Sequence, residues 1–133
     1  MARWLSSLRV VLGIGTDLVD IERFREVLIR TPGIADRVFT VGERAYAQRA
    51  VDPVPRLAAR FAAKEATLKS LGLGLGGMGM SEIEVVRHDD GHPELVLHGD
   101  AVTVSREHGV DHWLVSLSHT DSVAHAVVVA MGP

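Results

Sequence analysis

The sequence predicts an α+β domain: a mostly antiparallel sheet packed on one long helix, with shorter helices beside it. Three observations carry this. Pro55–Leu71 has the composition and length of a long helix, short β-branched runs stand towards both ends of the chain, and two alternating segments flank a tight turn between them. At 133 residues the chain is one domain, 1–133. A chain of about this size buries roughly two-thirds of the surface its unfolded form exposes and needs no covalent staples.

Residues 1–8 read as a loose extension. Arg9–Asp17 is a β-branched run ending in Gly-Ile-Gly, the pattern of a buried strand entering a turn. Asp20–Thr31 follows as a helix with Asp20 as N-cap and Pro32-Gly33 as its stop. Its apolar stripe is Ile21, Phe24 and Leu28, which turns Arg23 and Arg30 to solvent. Val38–Ala50 carries a second short helical signal, with Thr40 and Glu43 spaced as a capping box. Pro55–Leu71 is the strongest helix, rich in Ala and Leu, with proline in its first turn and Gly72 after its end. Gly72–Met80 is a loop by composition. Glu82–His88 and Glu94–His98 alternate around Asp-Asp-Gly-His-Pro as a hairpin, Ala101–His108 is a short helix, and Trp113–Ser118 and Val123–Met131 are strands joined by a turn.

Composition excludes several classes. The chain has no cysteine, which removes disulfides, thiolate zinc sites and cysteine nucleophiles together. Arg9 interrupts the first apolar stretch, and no small-residue cleavage site follows, so no secretory leader is expected. The longest charge-free runs, Ser70–Ser81 and Ser122–Pro133, fall short of the roughly 20 apolar residues that span a bilayer. A cytoplasmic protein with no membrane partner is the expectation. A net charge of −3 argues against nucleic acid as partner, while arginines clustered from Arg23 to Arg60 suggest a particular anionic one.

Three constellations carry chemistry. Asp17, at the end of its strand, either caps a turn or holds a metal, and alone it decides nothing. On the long helix, Glu65 and Lys69 lie i,i+4 on a face otherwise lined by Ala58, Ala62 and Ala66. That is either a surface pair worth a few tenths of a kcal/mol or part of a site that something approaches closely. Lys64 falls inside the apolar stripe between Leu57 and Leu68, so it must snorkel or meet an anion. Arg60, Lys64 and Lys69 suit phosphates, and Glu65 suits magnesium, which takes carboxylates, water and substrate phosphates. The glycine-rich run from Gly72 is either a connector or a source of backbone N–H groups for a phosphate. The third constellation is Val115-Ser-Leu-Ser-His119. It lacks the Gly-x-Ser-x-Gly elbow of a hydrolase, and Ser118 and His119 point to opposite faces of a strand.

In this order, Gly13-Ile-Gly-Thr-Asp-Leu-Val-Asp-Ile-Glu-Arg-Phe24, Arg60-Phe-Ala-Ala-Lys-Glu-Ala-Thr-Leu-Lys69 and Val115-Ser-Leu-Ser-His119 resemble the holo-acyl-carrier-protein synthase family of 4′-phosphopantetheinyl transferases. Glu82-Ile-Glu-Val85 and the hairpin turn Gly91-His-Pro93 match as well. The resemblance covers the chain from about Val11 onward. It implies the phosphopantetheinyl transferase fold and transfer of 4′-phosphopantetheine from coenzyme A to a serine of an apo acyl carrier protein, releasing 3′,5′-ADP, in fatty acid biosynthesis or a related pathway.

It also implies roles. Asp17 and Glu65 would ligate magnesium with the pyrophosphate of coenzyme A, and Lys69 would neutralise charge as that pyrophosphate breaks. Glu65 or a metal-bound water would take the serine proton. Arg60, Lys64, Lys69, Gly72 and His119 would hold coenzyme A, with His119 alternatively structural. Arg23, Arg30 and Arg25 would face the acidic helix of the carrier. A homotrimer with sites between subunits is implied by the resemblance alone. Two other classes compete: a non-catalytic oligomeric module that binds coenzyme A or a nucleotide, which leaves Asp17 and Glu65 unexplained, and an adaptor for acidic partners, which leaves the Lys64–Glu65–Lys69 segment unexplained.

Overall fold

A computed structural model describes residues 8–133; all but the last residue of the expected extension lies outside them. The expected α+β architecture is present. β1 (Val10–Asp20), β5 (Val123–Gly132) and β4 (His112–His119) form an antiparallel sheet in the order β1-β5-β4, and β2 (Ile83–Arg87) and β3 (Pro93–Leu97) form a separate antiparallel hairpin. The helices are α1 (Ile21–Arg30), α2 (Ile34–Val38), α3 (Val41–Gln48), α4 (Val54–Ser70) and α5 (Asp100–Glu107).

α4 lies across one face of the three-stranded sheet, and small residues bring the two close. Ala58, Ala62 and Ala66 on α4 and Ala124, Ala126, Val128 and Ala130 on β5 are all fully buried. On β1, a Cβ on Gly13 would overlap the Ser70 carbonyl. One on Gly15 would overlap the Ala66 carbonyl and stand 2.8 Å from the Ser70 nitrogen. Side chains alternate along a strand, so Asp17 shares the helix-facing side with these glycines, while Ile14 and Leu18 point away.

Three boundaries differ from expectation. β1 does not turn at Asp17; it pairs with β5 through Asp20↔Val123 and passes directly into α1, whose N-cap is Asp20. Gly13 and Gly15 mark close approach rather than a turn. The segment after Pro32-Gly33 forms the short helix α2, entered through Gly33 at φ 86°, and the second predicted helix begins at Val41 rather than Val38. The capping box forms as the spacing requires: the Glu43 N–H donates to Thr40 Oγ1 (3.1 Å) and the Thr40 N–H to Glu43 Oε1 (3.0 Å).

Candidate active site

Asp17 on β1 and Glu65 and Lys69 on α4 meet where the helix crosses the strand. Lys69 Nζ donates to Asp17 Oδ1 at 2.7 Å and to the Thr16 carbonyl at 3.2 Å. The Asp17 side chain is 16% exposed and that of Lys69 52%. Asp17 and Glu65 line one depression of about 320 Å³ with Leu18, Asp20, Arg23, Phe24, Val27 and Phe61. Burial, and then the negative charge of Asp17, push the Glu65 carboxyl above the usual carboxylate range, while Lys69 opposes the shift. Two carboxylates thus stand beside one depression, with Lys69 bonded to Asp17. Asp20, an extra acid next to the motif, is committed elsewhere: it accepts the Arg23 N–H at 2.9 Å as the cap of α1.

A second depression, of about 210 Å³, is lined by Arg60 and His119 together with Tyr46, Arg56, Arg87 and Ser118. Arg60 is 2% exposed, and its Nε has no hydrogen-bond partner among the described residues. Its guanidinium and that of Arg56 each stand 4.3 Å from the Tyr46 ring centroid, with Arg87 at 5.8 Å. Burial lowers the Arg60 pKa from its ordinary value. A buried guanidinium with an unused donor and cationic neighbours calls for an anion. Sequence reasoning missed Arg56, Arg87 and Tyr46. Arg56 was detectable as i−4 of Arg60; Arg87 comes from β2 and was not.

Lys64 stands elsewhere than expected. It is fully buried, as the apolar stripe required, but it does not face a phosphate. Its Nζ donates to Glu43 Oε1 at 2.7 Å, to the Met80 carbonyl at 2.9 Å and to the Ile83 carbonyl. The anion it meets is Glu43, and its three protons are used. Gly72 is also reassigned: at φ 68° it ends α4, its N–H donating to the Lys69 carbonyl at 3.0 Å and that of Leu73 to Leu68 at 2.8 Å. The Gly72 amide is therefore not available to a phosphate.

Of the three arginines expected to face a partner, Arg25 is occupied. It holds Asp52 through two bonds of 3.0 and 2.6 Å and also reaches Glu22, tying α1 to the segment before α4. Arg30, 78% exposed, has only a 3.9 Å contact to Glu26 among the described residues. Arg23 is exposed at the rim of the Asp17–Glu65 depression.

A family model described as the 4′-phosphopantetheinyl transferase superfamily matches residues 13–128. The holo-[acyl-carrier-protein] synthase of Streptomyces avermitilis is 46% identical over 122 residues, 92% of this chain and 98% of that protein. The synthase of Caldanaerobacter subterraneus is 37% identical over 119 residues, 90% of this chain and 94% of that one. Among solved structures, a holo-ACP-synthase from Plasmodium yoelii matches with a TM-score of 0.85 at 28% identity, covering 96% of this chain and 99% of that one. A holo-(acyl-carrier-protein) synthase from Bacillus anthracis, solved in complex with CoA, matches at 0.76 and 29% identity, covering 92% and 98%.

Proposed function

The chain belongs to the 4′-phosphopantetheinyl transferase superfamily, and we propose how its residues move 4′-phosphopantetheine from coenzyme A to a serine of an apo acyl carrier protein. The observation that carries this reading is the meeting of Asp17, Glu65 and Lys69 across the β1–α4 contact, beside a depression that opens towards Arg23.

The donor set fits magnesium. No group of three or more His, Asp or Glu converges among the described residues, and magnesium needs only one or two carboxylates with water and substrate phosphates. Asp17 and Glu65 would hold it, and bound there it would neutralise charge on the coenzyme A pyrophosphate. Lys69, already on Asp17, is within reach of the same phosphates. The serine oxygen forms a bond to the phosphorus that carries pantetheine, the bond from that phosphorus to the bridging oxygen breaks, and 3′,5′-ADP leaves. Glu65, or a water beside it, would receive the serine proton. Positioning and charge neutralisation supply most of the acceleration in such a transfer. Arg60, with Arg56, Arg87 and His119 around it, receives phosphate groups of coenzyme A.

Arg23 and Arg30 supply the basic surface for an acidic carrier helix. Arg23→Glu is expected to raise the carrier KM about tenfold and the coenzyme A KM far less, with the carrier effect shrinking in high salt. Equal effects on both substrates would place docking elsewhere.

We further propose a homotrimer. Its support is the face of the sheet turned away from α4, where Ile14, Leu18 and Leu114 are 66%, 69% and 50% exposed beside half-buried Val127 and Val129; such a patch marks an interface. Ile14→Arg should convert the assembly to monomer in light scattering without unfolding it. An unchanged mass would remove this face from the contact.

The deciding experiment is intact-mass spectrometry of an apo acyl carrier protein incubated with this protein, coenzyme A and magnesium, with an EDTA control. Gain of one phosphopantetheine, lost with EDTA, is expected. No gain across several carriers, with coenzyme A binding retained, would leave a binding module.

A further inference from the structure

Resting on the transferase reading, we propose that Lys64 and Glu43 form a positioning pair: their buried contact sets the roll of α4 about its axis, and with it where Glu65 and Lys69 stand against Asp17. Successive helical residues are about 100° apart, so Lys64 points away from its neighbour Glu65 by about that angle. Lys64 faces α3 and β2, while Glu65 and Lys69 face β1.

The two sides of α4 are held by different kinds of contact. Towards the sheet the surface is smooth: Ala62 and Ala66 against Ala126 and Val128, and glycine backbone against helix backbone. Such a surface fixes how close the helix lies, but it has few features to resist rotation. On that side the directional contact is the Lys69–Asp17 bond, whose lysine is half in solvent; the fully buried one comes from the other side. Lys64 reaches acceptors on three segments: α3 through Glu43, the turn at Met80, and the start of β2 at Ile83. Glu43 cannot swing to follow a rolling helix, because Oε1 also accepts the Thr40 N–H and Oε2 the Val85 N–H at 3.0 Å. Both side chains of the pair are 0% exposed.

The magnitudes favour a geometric role. A buried ion pair adds little net stability over apolar residues of the same shape. A side-chain tip stands about 5–6 Å from a helix axis, and a roll of about 20° moves it by about 2 Å. Misplacement by about 1 Å at a reacting centre can cost 10²-fold. Lys64 also holds the far end of the glycine-rich loop at Met80, while the Leu73–Leu68 bond holds its near end. The last turn of α4, which carries Lys69, is thereby fixed on both flanks.

The test is the double variant Glu43→Leu/Lys64→Met, which replaces the pair by apolar groups of similar size. It should melt below the native protein, because the Thr40 and Val85 N–H groups lose their acceptor, yet stay folded at the assay temperature and transfer 10- to 100-fold more slowly, with the coenzyme A KM changed less than threefold. Its crystal structure should show the Glu65 carboxylate displaced from Asp17 by an ångström or more. A folded double variant with native kcat, or one with Glu65 in place, would reduce the pair to a packing element. A raised KM at native kcat would return Lys64 to the phosphates. If the double variant does not fold, Glu43→Gln decides, since Glu43 lines neither the Asp17–Glu65 depression nor the Arg60 one: a lower kcat at constant KM supports positioning, and any other result overturns it. The crystal structure answers even if the native protein transfers nothing, an outcome that would sink the transferase reading by itself.

Discussion

Glu65→Gln is expected to slow phosphopantetheine transfer by about 10³-fold while the protein keeps its fold. The substitution removes one charge and almost no volume. In the native site the Glu65 carboxylate is half-buried and crowded by Asp17, which is why its proton affinity is raised. Removing its charge relieves that repulsion, so the melting temperature should stay constant or rise slightly. The functional loss has two sources. The amide is a poor magnesium ligand beside a single remaining carboxylate, and it cannot accept the serine proton. Loss of one well-placed electrostatic group commonly costs about 10²–10³-fold, and here one residue serves two roles. Single-turnover transfer followed by intact mass, with circular dichroism on the same samples, measures both halves. Transfer within tenfold of native would remove Glu65 from the chemistry; an unfolded variant would make it a structural residue.

Asp17→Asn makes an informative contrast. Asp17 is the partner of Lys69 at 2.7 Å, so its neutralisation frees Lys69 as well as weakening the cation site. Unlike Glu65→Gln, it should therefore carry some loss of stability. That loss should be small, because half of the Lys69 side chain is in solvent.

Sequence and structure agree best where the rule is local. The Thr40–Glu43 capping box needs only residues three apart, and it forms with both of its hydrogen bonds. α4 was legible from composition, and the i,i+4 spacing of Glu65 and Lys69 placed both on one side of it. The sequence also put Lys64 among apolar residues, where it had either to snorkel or to meet an anion. It did not reveal which anion, because Glu43 already had a complete local explanation as a helix cap and lies 21 residues away. One carboxylate serves as cap, ion-pair partner and acceptor for β2, and single-motif reasoning assigns it only the first role. Arg87 joins the Arg60 pocket through the hairpin, a contact that no spacing along the chain encodes. Arg25 stood with Arg23 and Arg30 among the residues expected to face the carrier; its pairing with Asp52 depends on how the segment before α4 returns past α1.

The glycines of β1 show the same division more sharply, and Gly15→Ala is expected to be strongly destabilising for the addition of a single methyl group. Read locally, Gly-Ile-Gly is a turn signal, and alanine in a strand would be mildly favourable by about 0.5–1 kcal/mol. In the fold, that methyl would overlap the Ala66 carbonyl and approach the Ser70 nitrogen to 2.8 Å. Both are backbone atoms inside a helix, so no rotamer change can clear them. Either β1 lifts off α4 or α4 shifts. Overpacking of this kind costs about 3 kcal/mol or more, which for a domain of this size lowers the melting temperature by roughly 10 °C. The site suffers in proportion, because Asp17 is two residues further along the same strand face and its distance to Lys69 is set by this contact. Gly74→Ala is the control: nothing lies within 4 Å of a Cβ there, so it should melt as the native protein does. If Gly15→Ala melts with Gly74→Ala, the β1–α4 contact is looser than drawn. If it melts early and also transfers slowly below its melting temperature, the missing side chain at Gly15 is what brings Asp17 on β1 into reach of Lys69 on α4.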